Sequence, residues 1–520
     1  MAAAGLVGIT GLALTAGKGP HWLVGQARSL VDNTRGHSSL DRFSLQDGPT
    51  RAFAASSAVV PATTFGVDLS PPASTESFAN LALGPDWILR RPGAQNPMPP
   101  ELLDENGDVK SLPAGGSALR WLTSPGGDGR AISIRCTYTG KGNVEVGGPS
   151  VTRVYNKTNE LRIDWVPSKD PAGLSIREMD PNKPVRNLDC RNIETAPAAR
   201  FAPRFLELIK GFKVLRFMDW QNTNADLPVT WAGRHTAKSM VIDRADGVSL
   251  EDMVLLARLN HSDAWFNMPS RADDDYILHF AQYVHANLPA EGKVYVELGN
   301  EVWNWGFPVS RHVMQEGLDA HLGGSAKEAI SFRYAERLIH VMDIWASVFQ
   351  NDPHRLVRIA SGQSVDPYRS GLILGYKDVP KHVDAFATAP YFGYDKTGDP
   401  RDLTEIFHRI DAGVETALQE AEMQKAIAAK HGLRFIAYES GQGIVLQDIA
   451  LNERIQRDPR MYTAYRHYID GWRKRVGDTF CLFGTVFRIR NSGAWGLLEY
   501  EGQPAAGAPK YRAVREELAH

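Results

Sequence analysis

"VYVELGNEVWN" (294–304) is the stretch on which the reading of this chain turns. A run of apolar residues ends on Asn300 and Glu301, and two indoles, Trp303 and Trp305, follow at once. Such an ending is either a polar strand tip meeting solvent or one half of a catalytic site. The Asn-Glu dipeptide alone does not separate the two, since Asn159-Glu160 and Asn452-Glu453 also occur. The surrounding pattern has to.

Outward from this strand, short apolar runs alternate with helical stretches from about residue 200 onward, the signature of βα units around a parallel sheet. The candidate strands are "KVLRFM" (213–218), "AWFNM" (264–268), "VYVEL" (294–298), "LVRIA" (356–360), "DAFATA" (384–389), "RFIAYE" (434–439) and "TFCLF" (479–483). Amphipathic segments lie between them; "SLEDMVLLARLN" opens with a Ser-x-x-Asp variant of the capping box. A closed (β/α)8 barrel needs one more strand, and "TTFGVDLS" (63–70) supplies it upstream. Between residues 107 and 195 the period changes to two: Ile132, Ile134, Cys136 and Tyr138 share one face, as do Leu161, Ile163 and Trp165. The expected fold is therefore α/β, a (β/α)8 TIM barrel carrying a small inserted antiparallel β-sandwich-like domain. Its expected segments are a signal-like arm over 1–60, the first barrel strand and loop over 61–106, the β domain over 107–195 and the rest of the barrel over 196–520. The alternative order, an N-terminal β domain followed by a complete barrel, would need a first barrel strand elsewhere.

Composition removes several function classes. With 58 Lys and Arg against 60 Asp and Glu, the formal net charge of -2 offers no basic surplus for nucleic acid or an anionic membrane. No segment after the N-terminus reads as a membrane span. The opening "MAAAGLVGITGLALTAGKGP" is small and apolar, without a basic n-region, and reads as an export segment that would place the protein in a secreted or periplasmic compartment. Three cysteines make no disulfide framework. Cys136 reads as a buried thiol, with Cys190 in the same candidate domain as an available disulfide partner, and Cys481 as buried and inert. No HExxH spacing, no P-loop and no glycine-flanked nucleophile around Ser440 is present, so no metal and no cofactor is expected.

Catalytic groups of such barrels gather where the strands end and the βα loops converge. Glu301 follows the fourth strand and Glu439, in "FIAYESGQG", ends the seventh. Both can face one cleft, and two opposed carboxyl groups are what glycoside hydrolysis requires. These features resemble the clan A glycoside hydrolases. More narrowly they resemble a bacterial subgroup with a β domain after the first strand, often labelled cellulose-binding or putative glycosidases. "GVDLSPPASTESFANL", "LLDENGDVKSLPAG", "VLRFMDWQNTN", "WFNMP" and "VYVELGNEVWN" carry the likeness, over roughly residues 64 to 500.

The resemblance implies a retaining hydrolase of a β-linked glycan, cellulose-like β-glucan being favoured, with endo action and a carboxyl separation of about 5–5.5 Å. It implies Glu301 as general acid/base, Glu439 as nucleophile, and Asn300 on the substrate 2-hydroxyl. Arg216 would be the nucleophile's cationic neighbour, Tyr391 its hydrogen-bond donor, and Trp495 the platform under the sugar. This chain has Ala389 where many members carry His.

Other residues keep two readings. Trp220, Trp303 and Trp305 either line a sugar groove or cap the barrel. Asp219, Asn222 and Asp68 either bind hydroxyls or close turns. The β domain either braces the barrel or carries its own glycan-binding face. A non-catalytic carbohydrate-binding barrel is the competing function.

Overall fold

The computed structural model describes residues 60–123, 129–167, 171–242 and 247–519; the export-like N-terminal segment lies outside them. Eight parallel strands close into a barrel. In chain order they are β1 (Thr64–Asp68), β2 (Val214–Arg216), β3 (Asp263–Met268), β4 (Val294–Leu298), β5 (Leu356–Ser361), β6 (Ala385–Thr388), β7 (Arg434–Ala437) and β8 (Thr479–Phe483). β1 lies between β2 and β8, with Asp68 beside Arg216 on one side and Phe483 on the other. All eight strands fall where the apolar runs place them. Parallel strands buried on both faces read as nearly continuous apolar runs, and β4 and β8 are buried throughout.

The intervening helices form for local reasons too. Leu250–Asn260 starts at Ser249, whose hydroxyl accepts the backbone N–H of Asp252 at 3.1 Å, the expected cap. The barrel interior is packed: Trp265 stacks on Tyr295 at 5.3 Å between centroids, and Val357, Ile359, Ala385, Ile436 and Cys481 fill the space around them. Among the described residues, no helix is long and apolar enough to cross a membrane.

Between β1 and β2 lie two antiparallel sheets. One has four strands, Arg186–Asn192, Ile132–Thr139, Glu160–Trp165 and Val151–Lys157 in spatial order; the other has five, Ala94–Pro97, Ile88–Arg91, Ser117–Trp121, Gly173–Met179 and Gly142–Gly147. The strands Ile88–Arg91 and Ala94–Pro97 come from the stretch upstream of residue 107. Cys136 is not the free thiol that the sequence favours. It stands directly opposite Cys190 on the neighbouring strand, with Cα atoms 3.9 Å apart, and the two are joined in a disulfide. Antiparallel register brings the two thiols together, and register cannot be read from spacing.

This β domain is tied to the barrel. Apolar residues of both belong to one continuous core. Arg120, fully buried, donates to the carbonyls of Ala82 at 3.1 Å and Met240 at 2.7 Å, with its guanidinium 4.4 Å above the Trp87 ring. These contacts join its inner face to the loops of the barrel.

Candidate active site

The site begins with one cation. Arg216, the last residue of β2, is fully buried inside the barrel mouth. Its Nη1 donates to Asp68 Oδ2 at 2.7 Å and to Glu439 Oε1 at 2.8 Å. Its Nη2 donates to Glu297 Oε2 at 2.9 Å and to Asn300 Oδ1 at 2.8 Å. Three buried carboxyl groups thus converge on one guanidinium, from the end of β1, the penultimate residue of β4 and the residue two beyond β7. Burial alone would lower the Arg216 pKa, but Glu297, Asp68 and Glu439 outweigh it and hold it above the ordinary arginine value.

Glu439 is fully buried, and its second oxygen accepts the Tyr391 hydroxyl at 2.9 Å. Tyr391 is held there by a two-strand extension beyond the barrel, in which Tyr391–Phe392 pairs in parallel with Gly441–Gln442. The Tyr391 ring packs edge-on against Trp495 at 5.2 Å and Phe483 at 6.3 Å. Trp495 itself is buried, beside the ring that reaches Glu439.

Glu301 has different surroundings. After β4 the chain bends at Gly299 (φ 64°), where a Cβ would come within 3.0 Å of Ser270 Oγ and closer still to Val302. Glu301 itself has φ 43°, a left-handed backbone that costs a non-glycine residue on the order of 1 kcal/mol. The bend is closed by the Asn304 N–H donating to the Glu301 carbonyl at 2.7 Å. The carboxyl group accepts the Asn304 amide at 2.7 Å and the Tyr438 hydroxyl at 3.2 Å, and among the described residues no cation is paired with it. Burial first, and then the charge of Glu439, push its pKa from 4.5 up to about 7. The two glutamates therefore face different environments across one mouth, one beside a guanidinium and one beside neutral donors. A cavity of about 830 Å³ opens on this mouth, lined by Glu301, Trp303, Ala389, Tyr391 and Tyr438.

The remaining sequence candidates divide. Asn300 is fully buried, with its Nδ2 donating to Asn224 Oδ1 at 3.2 Å. Asp219 stands near Glu439, and burial first, then the Glu439 charge, raise its pKa well above the usual range. Asp68 is raised as well, by burial ahead of the opposing pull of Arg216. Trp303 lines the cavity, 6.5 Å from the Tyr438 ring, whereas Trp305 is 50% exposed. Trp220 is not on the groove. It is fully buried, stacked on Phe78 and Phe205 at 5.8 Å each, and donates to the Ser70 carbonyl. The turn after β2 points its ring into the core beneath the loops. Asn222 takes the turn role: its φ is 50°, and its N–H donates to the Asp219 carbonyl.

Four further residues of the site were not singled out from sequence: Glu297, Tyr438, Asn304 and Asn224. Tyr438 adjoins Glu439, and Glu297 is a lone carboxylate within an apolar strand, so both carried a local signal. Among the described residues, no three His, Cys, Asp or Glu are grouped to hold a metal ion.

Compared with known proteins by sequence, the chain matches no family model and no curated protein. By structure it is similar to a GH51 arabinofuranosidase from Xanthomonas axonopodis pv. citri, at 15% identity over 62% of this chain and 66% of that one, with a TM-score of 0.40. A GH5-4 broad specificity endoglucanase from Clostridium acetobutylicum matches at 13% identity, over 61% of this chain and 89% of that one, with a TM-score of 0.33. The CBM22-1–GH10 modules of a Clostridium thermocellum endo-1,4-β-D-xylanase match at 10% identity, over 85% and 96%, with a TM-score of 0.37. At these identities the likeness is one of fold.

Proposed function

We propose that this protein is a retaining glycoside hydrolase acting on a β-linked glycan by double displacement, with Glu301 as general acid/base and Glu439 as nucleophile. The observation that carries this reading is the unequal pair. Glu439 accepts from Arg216 and Tyr391 through both oxygens, which fixes its orientation as an acceptor. Glu301, with its pKa raised to about 7, keeps a proton to give to a departing sugar oxygen. In the first step Glu439 attacks the anomeric carbon while Glu301 protonates the leaving oxygen. In the second step Glu301, now a base, takes a proton from water, which releases the sugar from Glu439. Trp303 in the cavity wall supplies an indole for the sugar's apolar face. A cellulose-like β-glucan cut internally is the substrate this proposal favours, carried over from the sequence resemblance.

The test is to incubate wild type and Glu439→Ala with a panel of β-glucan, xylan, mannan and arabinan and measure new reducing ends. Release by wild type that the folded variant lacks supports the proposal and names the substrate. No release from any glycan, with retained binding, would turn the reading to a non-catalytic carbohydrate-binding barrel.

A further inference from the structure

The outer face of the five-stranded sheet carries a second cavity, of about 410 Å³, which shares no lining residue with the cavity at the barrel mouth. That volume lies within the range of small-ligand sites, about 300–1,000 Å³. Its floor is unusual for a sheet. Trp121, Gly173 and Gly147 stand in one row across three neighbouring strands, Trp121 opposite Gly173 and Gly173 opposite Gly147. A Cβ on Gly173 would lie 3.1 Å from the Trp121 ring, so the indole rests on bare backbone there. A Cβ on Gly147 would meet nothing within 4 Å, so the space beside the indole is open. Trp121 itself is half-buried, with part of its surface left to that space.

Three guanidiniums ring the floor. Arg90 comes from the strand beside that of Trp121, Arg177 from the Gly173 strand, and Arg153 from the edge of the other sheet. All three are exposed. Arg177 donates to Glu145 at 2.6 Å, while Arg90 and Arg153 have no acidic partner among the described residues. The cavity is thus locally cationic on a chain whose formal net charge is -2.

We propose that this cavity binds an acidic glycan, a chain bearing uronic acid residues, at a site separate from the barrel mouth. The indole offers a flat apolar surface to one face of a pyranose ring, and the glycine floor leaves room for the ring to approach. Guanidiniums match a carboxylate with two parallel hydrogen bonds. A nucleic acid fits less well, because a single aromatic residue in the cavity cannot stack successive bases. The inner face of the same domain is joined to the barrel, and the outer face would hold the glycan.

The test titrates the full chain carrying Glu439→Gln, which leaves binding to be read without turnover, with a galacturonate hexamer at low and moderate salt. Binding is expected, weakening as salt rises. Trp121→Ala and, separately, Arg153→Glu should each reduce affinity at least ten-fold. Arg153 is exposed, so its variant keeps the fold even if Trp121→Ala does not, and circular dichroism checks both. No binding of the hexamer overturns the proposal, as does binding that neither variant weakens. Polyglutamate bound as tightly as the hexamer, and indifferent to Trp121→Ala, would show a generic anion surface and overturn it too. The titration reads no hydrolysis, so its outcome is independent of whether the barrel is an enzyme.

Discussion

Replacing Glu301 by Gln should make the protein more stable at pH 8 and leave it unchanged at pH 4, while abolishing most activity. Burial and the Glu439 charge raise the Glu301 pKa from 4.5 to about 7. A carboxyl group whose pKa is higher folded than unfolded binds its proton more tightly in the native state. Its stabilising contribution is complete below the unfolded pKa of 4.5 and is lost as pH rises to about 7. Across that interval of 2.5 pH units, at 1.36 kcal/mol for each, the loss is on the order of 3 kcal/mol. Gln is neutral at every pH and escapes it. Its Nε2 can face Tyr438, whose hydroxyl turns to accept, while its oxygen keeps the Asn304 amide. Unfolding entropy of about 2.1 cal/mol/K per residue gives roughly 1 kcal/mol/K for a chain of this size. Glu301→Gln should therefore raise Tm by about 3 °C at pH 8 and by almost nothing at pH 4, read by differential scanning calorimetry. An equal Tm change at both pH values, or a lower Tm at pH 8, would refute the reasoning. Under the proposed mechanism the same proton should set the alkaline limb of kcat/KM near pH 7, and its loss in the variant should cost about 10²–10⁴-fold in rate.

Tyr391→Phe removes one hydrogen bond to the Glu439 carboxyl group, a contact of the class worth about 1.5–3 kcal/mol; kcat should fall roughly 10–100-fold and Tm by at most about 3 °C, and a full-rate variant would remove Tyr391 from the mechanism. Arg216→Met strips three buried carboxyl groups of their counter-ion and should cost about 3–5 kcal/mol, seen in urea denaturation as a lower midpoint or as failure to fold. Trp220→Phe should lower stability by roughly 1–3 kcal/mol with KM unaltered, because this ring packs core and not sugar; a raised KM would return it to the groove. Reduction of Cys136–Cys190, which closes a loop of 54 residues, should destabilise the β domain by about 4 kcal/mol in the chain-entropy picture, measurable as a lower Tm in dithiothreitol.

What the sequence revealed, and what it hid, follows from the range of the interactions. The eight strands were legible because a strand buried on both faces must be apolar along its length, and even β1, separated from β2 by the whole β domain, kept that mark. Glu301 and Glu439 were legible because strand ends are where barrels expose chemistry. Trp220 kept two readings because its neighbours Asp219 and Gln221 are polar, and only the turn after β2 shows the ring directed towards Phe78 and Phe205. The cluster on Arg216 was only partly foreseen: that Glu297 and Asp68 share one guanidinium depends on strands brought together by closure of the barrel. The same holds for the Tyr391–Phe392 pairing with Gly441–Gln442 and for the disulfide, where register decides and composition is silent.

The position of β1 bears on how the molecule is made. Ser70, just after β1, meets Thr485, just after β8, across 415 residues of chain. A ribosome adding about 5–20 residues each second needs roughly 20–80 s to span that distance. During that time the first strand has emerged without its β8 neighbour, while the β domain behind it already has all nine of its strands. Assembly is expected to begin with the β domain: lying between the first two staves of the barrel, it sets early and holds β1 close by, so that the last stave, when it arrives, finds its place kept.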